Sequence, residues 1–208
     1  MSKAIYITTT EPNSGKSIIS LGLMQLLLGK AAKVGYFRPI IDNYEPGGID
    51  NHINTMTTFF GLDIPFKDAY AFTRSEVIRK KNEDRDDEII GKIIEKYKAI
   101  EDRFDFVLVE GTSFSGEGTI IEFDINLVIA KNLGIPAIIL ASEVGKTTDG
   151  LVGNLQIAYD SFTDKGVQVL AVIANKVQRE NISRVVKGLQ KQLPGNVLVC
   201  AIPLNPVL

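Results

Sequence analysis

Hydrophobic positions gather in short runs rich in β-branched residues: "AIYITT", "KVGYFRP", "FDFVLVEG", "AIILAS", "VQVLAVIANK" and "NVLVCAIP". A segment able to hold a helix separates each run from the next, an alternation that predicts a parallel sheet. The runs are apolar on both faces instead of alternating, so helices are expected on both sides of the sheet, giving a three-layer, mainly parallel α/β fold. In "DEIIGKIIEKYKAIEDRF" the residues Ile89, Ile90, Ile93, Ile94, Tyr97, Ile100 and Phe104 recur at helical spacing and leave Lys92, Glu95, Lys96 and Lys98 outward. This helix is expected to pack on the sheet. The preceding run "RSEVIRKKNEDRDDE" mixes both charges and reads as a solvated helical face.

Composition narrows the class. At 208 residues and 45% hydrophobic, the chain reads as one domain, 1–208, large enough to bury a core. Lys and Arg total 23 against 25 Asp and Glu, so no global attraction to nucleic acid or anionic lipid is expected and any anion site must be local. No apolar run reaches the roughly 18 residues of a spanning helix, and "MSKAIYITTT" is too polar for a signal peptide. A cytoplasmic protein without a membrane partner is expected. The single Cys200 builds no disulfide framework or zinc cluster, and its apolar surroundings read as a buried core thiol.

Chemistry concentrates in "TTTEPNSGKS", between the strand "AIYITT" and the helical "SIISLGLMQLLLGK", where Leu21, Met24, Leu27 and Leu28 share one side. A strand, a turn and a new helix are the context of a phosphate-binding loop. Gly15 lets backbone amides turn inward, the helix start offers N–H groups and a positive dipole end, and Lys16 adds a full charge. Thr10, Asn13, Ser14, Gly15, Lys16 and Ser17 form the candidate phosphate-contacting set, with Ser17 also reaching a magnesium ion. Against G-x-x-x-x-G-K-[ST] the first position is Thr10, so only the second half of the pattern is met.

A second element comes from "FDFVLVEG", whose buried run delivers Glu110 to the carboxyl edge of the sheet, where open α/β sheets bind ligands. Glu110 is the candidate metal-side acid, and a backbone-capping carboxylate is the competing reading. Asp50, a candidate metal ligand, and Asp42 lie after the second strand and can approach the same edge; helix capping is the competing reading of both. His52, the only histidine, has no partner carboxylate or cysteine pattern in the sequence and reads as an ordinary polar residue. "AVIANKVQ" invites comparison with the guanine-reading N-K-x-D motif, but Gln178 stands where Asp must accept the guanine hydrogens. An Asn amide pairs with the N6 and N7 edge of adenine, so adenine is favoured and Asn175 is the candidate base contact; closing a turn is its alternative role.

"TTTEPNSGKS", "VGYFRPI", "FDFVLVEGT", "EFDINLVIAKNLGIPAIILAS", "VIANKV" and the terminal "AIPLNPVL" together resemble the amino-terminal P-loop domain of long-type phosphate acetyltransferases, over nearly the whole chain. That domain is similar to dethiobiotin synthetase and the cobyrinic acid amidating enzymes, which carry Thr in place of the first glycine. The resemblance implies a P-loop NTPase-like fold and Mg2+ with ATP or another adenine nucleotide, a dinucleotide such as NADH included. It also implies that acetyl transfer between coenzyme A and phosphate belongs to a separate carboxy-terminal domain. The chain is then expected to be a fragment, with Pro203 and Pro206 leading into a linker. Its role is nucleotide sensing or assembly, its partners the remaining domains of the parent enzyme and further copies of itself.

Two other readings stand beside this one. A dethiobiotin synthetase-like ligase uses a lysine in a K-P motif, where this chain has Arg38 in "YFRPI", a candidate phosphate contact that is not equivalent to lysine. Partitioning ATPases add a lysine early in the loop, where this chain has Glu11 and Pro12, so dimer-driven hydrolysis is not expected. An oligomerisation scaffold without nucleotide is the third possibility.

Overall fold

The computed structural model describes residues 3–45, 48–112 and 119–205. Among these, helices and strands alternate as β1 (Ala4–Thr9), α1 (Lys16–Leu28), β2 (Val34–Ile41), α2 (Asn51–Phe60), β3 (Tyr70–Thr73), α3 (Arg74–Asn82) and α4 (Asp86–Glu101). They continue as β4 (Phe106–Glu110), α5 (Thr119–Leu133), β5 (Ala137–Ser142), α6 (Thr148–Asp164), β6 (Val169–Val177), α7 (Ile182–Gln192) and β7 (Leu198–Pro203). The strand order is β3-β2-β4-β1-β5-β6-β7. All six runs singled out by β-branched content are strands. The seventh, β3, carries no readable signal: "YAFT" buries only Phe72 and lies at the outer end of the order. The linker expected at Pro206 and residues 113–118 lie outside the described residues. No helix among the described residues is long and apolar enough to cross a membrane.

The chain divides into two compact units, Met1–Tyr6 with Ser17–Thr112 and Ile7–Lys16 with Ser113–Leu208. In the first, β2 pairs in parallel with β3 and β4 and is buried along its whole length. Pro39 has no N–H to give a ladder, which a central strand rarely tolerates. Here the pairing with β4 runs only to Phe37↔Val109, while Arg38 and Ile40 pair with β3, so the missing donor falls where the β4 ladder has ended. Helix α4 buries Ile89, Ile93, Tyr97 and Ile100, the stripe its spacing predicts, and Phe37 meets Tyr97 ring to ring at 6.3 Å. The charged run before it is solvated as read: Arg85 pairs with Glu83 and Glu88, all exposed.

In the second unit β5, buried throughout, pairs with β6, and β6 with β7. Thr147 caps α6 by accepting from the Gly150 N–H, and the helix buries Leu151, Val152, Leu155, Ala158 and Phe162. Cys200 corrects its expectation: it is half-buried, because β7 ends the strand order and keeps no fully buried residue.

Ile93→Ala, at a residue 1% exposed, is expected to lower unfolding free energy by about 2–5 kcal/mol in chemical denaturation. Glu95→Ala on the opposite face of α4 is expected to stay within about 0.5 kcal/mol.

Candidate functional site

In the first unit, β2 and β4 set the geometry. Parallel partners Tyr36↔Leu108 and Phe37↔Val109 put side chains of equal parity on one face, and continuing the register by one residue sets Glu110 opposite Arg38. Tyr36 and Arg38 therefore share the face that Glu110 enters. The Tyr36 hydroxyl donates to Glu110 Oε2 at 2.9 Å, and Arg38 Nε lies 3.9 Å from Glu110 Oε1. Arg38 Nη1 donates to both oxygens of Asp50, at 2.7 and 2.8 Å. Asp50 Oδ1 also accepts the Ile53 N–H at 2.9 Å, which makes Asp50 the N-cap of α2. The capping alternative is thus realised, and both Asp50 oxygens are engaged by Arg38. Asp42 lies exposed on the way to α2.

Arg38 and Glu110 are 4% and 0% exposed. Burial alone disfavours the charged guanidinium, but Glu110, Tyr36 and Asp50 outweigh it and hold Arg38 protonated beyond its ordinary range. Burial, reinforced by the Glu110 charge, pushes the Tyr36 hydroxyl well above the usual phenol range, so it remains a donor.

His52 departs from its reading as an ordinary polar residue. The α2 cap sets it in the first turn, where Nδ1 lies 3.1 Å from Ser17 Oγ and 3.4 Å from Glu110 Oε1. Ser17, His52 and Glu110 border a cavity of about 230 Å³ together with Tyr36, Leu21 and Met56. Among the described residues no three His, Cys, Asp or Glu side chains form a metal-holding group. The donors at this cavity are the Ser17 hydroxyl, the Glu110 carboxylate and His52 Nδ1, atom types that divalent cations accept.

In the second unit, the loop from Thr10 to Lys16 explains its own missing glycine. The residues with left-handed backbone are Asn13 at φ 56° and Gly15 at φ 88°, and Thr10 is not among them. Glycine is needed where φ is positive, and Asn is among the few other residues that adopt it readily. Thr10 is tied down instead, its N–H donating to the Leu140 carbonyl at 3.0 Å. Glu11 accepts the Ser142 N–H at 2.6 Å and pairs with Lys146 at 2.9 Å, a brace the sequence did not reveal. Ser14 and Lys16 are 2% and 3% exposed.

The far side of the loop is held from the end of β6. Asn175 Nδ2 donates to the Ser14 carbonyl at 2.7 Å, and Lys176 Nζ to the Asn13 carbonyl at 2.7 Å. Lys176 has φ 54° at an irregularity in the β6 and β7 register. Asn175, expected at the base, thus has its amide nitrogen engaged by the loop. Glu143 gathers the following turn, accepting from Thr148, the Gln178 N–H and Asn181.

Arg38→Met would strand Asp50 as a buried carboxylate, and a loss of about 3–5 kcal/mol is expected in urea unfolding at neutral pH. At Gly15 an added Cβ would clash with Asn175 Nδ2 on a backbone of φ 88°. Gly15→Ala is therefore expected to lower stability by more than the roughly 1–2 kcal/mol of the left-handed penalty alone, read as a lowered thermal midpoint.

Comparison with known proteins matches the AAA domain family over residues 3–208. The phosphate acetyltransferase of Nitratidesulfovibrio vulgaris is 38% identical over 192 residues, 91% of this chain and 27% of that protein. The chain thus spans about a quarter of that relative's length. The ATP-dependent dethiobiotin synthetase BioD of Methanococcus vannielii is 26% identical over 178 residues, 82% of this chain and 78% of that protein. Among solved structures, the ATP complex of a Cyanothece McdA variant aligns with a TM-score of 0.58 at 13% identity, over 98% of this chain and 84% of that one. That likeness is one of fold, the three-layer α/β arrangement of P-loop proteins. Matched along all but its first two residues, the chain belongs to the AAA domain family.

Proposed function

We propose that residues 1–208 act as one nucleotide-binding domain, the amino-terminal part of a longer phosphate acetyltransferase. Its role is regulation or assembly through an adenine nucleotide and a divalent cation. The observation that carries this reading is the loop at the start of α1, where Gly15 stands at φ 88° and the next residue, Lys16, is 3% exposed. Two side-chain hydrogen bonds from Asn175 and Lys176 fix its carbonyls outside the turn. A loop held in this way presents its amides without further ordering, which lowers the entropic cost of binding phosphate.

In this reading Thr10, Asn13, Ser14, Gly15 and Lys16 surround the phosphates, and Ser17 and Glu110 hold Mg2+, which screens phosphate charge when bound. Asp50 supports that position through Arg38, and Arg38 acts on the phosphates only through the carboxylates it holds. Asn175 keeps Oδ1 for the exocyclic amine of adenine while Nδ2 fastens the loop. The similarity to proteins named phosphate acetyltransferase supports the placement in that enzyme, with acetyl transfer in the portion of the relatives this chain does not span. Cytoplasmic location and self-association belong to the same proposal.

Calorimetric titration with Mg2+ and ATP is expected to give saturable binding, with GTP much weaker. Lys16→Ala is expected to weaken ATP binding by about 2–5 kcal/mol, the usual cost of truncating a desolvated charge partner. Absence of ATP binding by the wild type would overturn this reading in favour of a scaffold.

A further inference from the structure

Apolar residues surround α1 on every side, and past Lys16, which is 3% exposed, residues 17–28 hold no Asp, Glu, Lys or Arg. A helix of that kind is ordinarily covered all round. Ser20 and Met24 are fully buried, but Ile18 and Leu26 are 48% and 68% exposed. With Gly22, also exposed, they form one line at i, i+4 and i+8. Glycine is costly in the middle of a helix, and packing within the chain does not account for Gly22: a Cβ added there would meet nothing within 4 Å.

Helix α2 extends the same kind of surface. Residues 51–62 carry no Asp, Glu, Lys or Arg, in a chain that is 23% charged. Leu21 of α1 and Thr55 and Met56 of α2 border one cavity, and Phe59, 74% exposed, falls one turn further along that side of α2. The outer faces of α3 and α4 instead expose Arg79, Lys81, Glu95 and Lys98. Ile18, Gly22, Leu26 and Phe59 all belong to the first unit.

We infer that α1 and α2 form the contact surface of a homodimer, with the two copies of α1 crossing antiparallel at Gly22. The pattern is self-complementary. A two-fold axis through Gly22 sets Ile18 beside Leu26 of the second copy, and the missing side chain lets the helices approach closely. Residues near such an axis meet their own counterparts, so a charge there would repel itself; this face carries none. Lys30, one turn past Leu26, falls beyond the start of the opposing helix, at the polar rim. A 13-residue helix, about 20 Å long and 10 Å wide, falls short of the roughly 800 Å² that each partner of a stable dimer buries, so α2 with Phe59 completes the surface. The inference rests on the self-association in the proposed function and supplies its surface.

Sedimentation equilibrium of the full chain over a concentration series is expected to give a dimer. Leu26→Glu and Gly22→Gln are each expected to raise its dissociation constant at least about tenfold. Ile78→Glu, at an apolar residue 50% exposed on α3, is expected to leave it unchanged. Gln is the better helix former, so Gly22→Gln is also expected to raise the thermal midpoint of the monomer, a combination that loss of folding cannot imitate.

A dimer that survives both Leu26→Glu and Gly22→Gln would overturn the surface and leave self-association standing. A monomer at every concentration would overturn both, in favour of cover by the portion of the relatives this chain does not span. Calorimetry with Mg2+ and ATP on the same samples reads the nucleotide site separately, and absence of binding there would overturn the nucleotide reading without touching the surface.

Discussion

Taking a guanidinium out of water costs several kcal/mol unless its hydrogens meet well-placed acceptors, and Arg38 is 4% exposed. The requirement organises the first unit. Asp50 must stand where both its oxygens reach Nη1, and in doing so it also receives the Ile53 N–H and begins α2. The start of α2 then sets His52 in its first turn. Glu110 must arrive at the same height on the neighbouring strand, which the parallel register of β2 and β4 provides. Tyr36, two residues back on the same face, supplies the hydroxyl that Glu110 Oε2 accepts. Well-packed apolar residues often match such a group in stability, but they would fix neither the cap nor the carboxylate.

The second unit meets a different constraint, that of a backbone turned inward. Two residues of its loop take positive φ, and only one is glycine. The strain at Asn13 and at Lys176 is compensated locally: the Lys176 side chain, carried on a left-handed residue at a strand irregularity, bonds the carbonyl of Asn13. Such strained positions persist where surrounding contacts over-determine them. The closeness of Asn175 to Gly15 makes the same point, since a methyl group there has no room.

The sheet was legible because buried parallel strands write continuous β-branched runs, and β2, β4 and β5 are buried along nearly their whole lengths. Strands at the ends of the order write weaker signals. β3 was too short to register, and Cys200 looked like core because its neighbours are apolar, although β7 stands at the end of the strand order among the described residues. The loop was legible from Gly15, Lys16 and Ser17, since local chemistry and local geometry coincide there. The roles of His52, Lys146 and Lys176 were not, because each meets its partner across a long stretch of chain. Asp50 showed its cap signal in "DNHINTM", but the consequence for His52 needed the register of β2 and β4.

The wiring of Arg38 also separates binding from chemistry. A ligase that phosphorylates a carbamate or carboxylate needs a cation turned to the substrate, where charge develops in the transition state. Arg38 occupies the corresponding place in the sequence, yet its Nη1 is committed to both oxygens of Asp50 and the side chain is nearly closed to solvent. Turning it to a substrate would leave Asp50 buried without its counter-charge and loosen the cap of α2, a penalty set against every turnover. A lysine, with a flexible stem and a single rotatable ammonium, is free of that commitment; a planar fork held by a carboxylate is not. The arginine therefore favours a domain that holds a metal nucleotide in a fixed frame over one that neutralises charge as it forms.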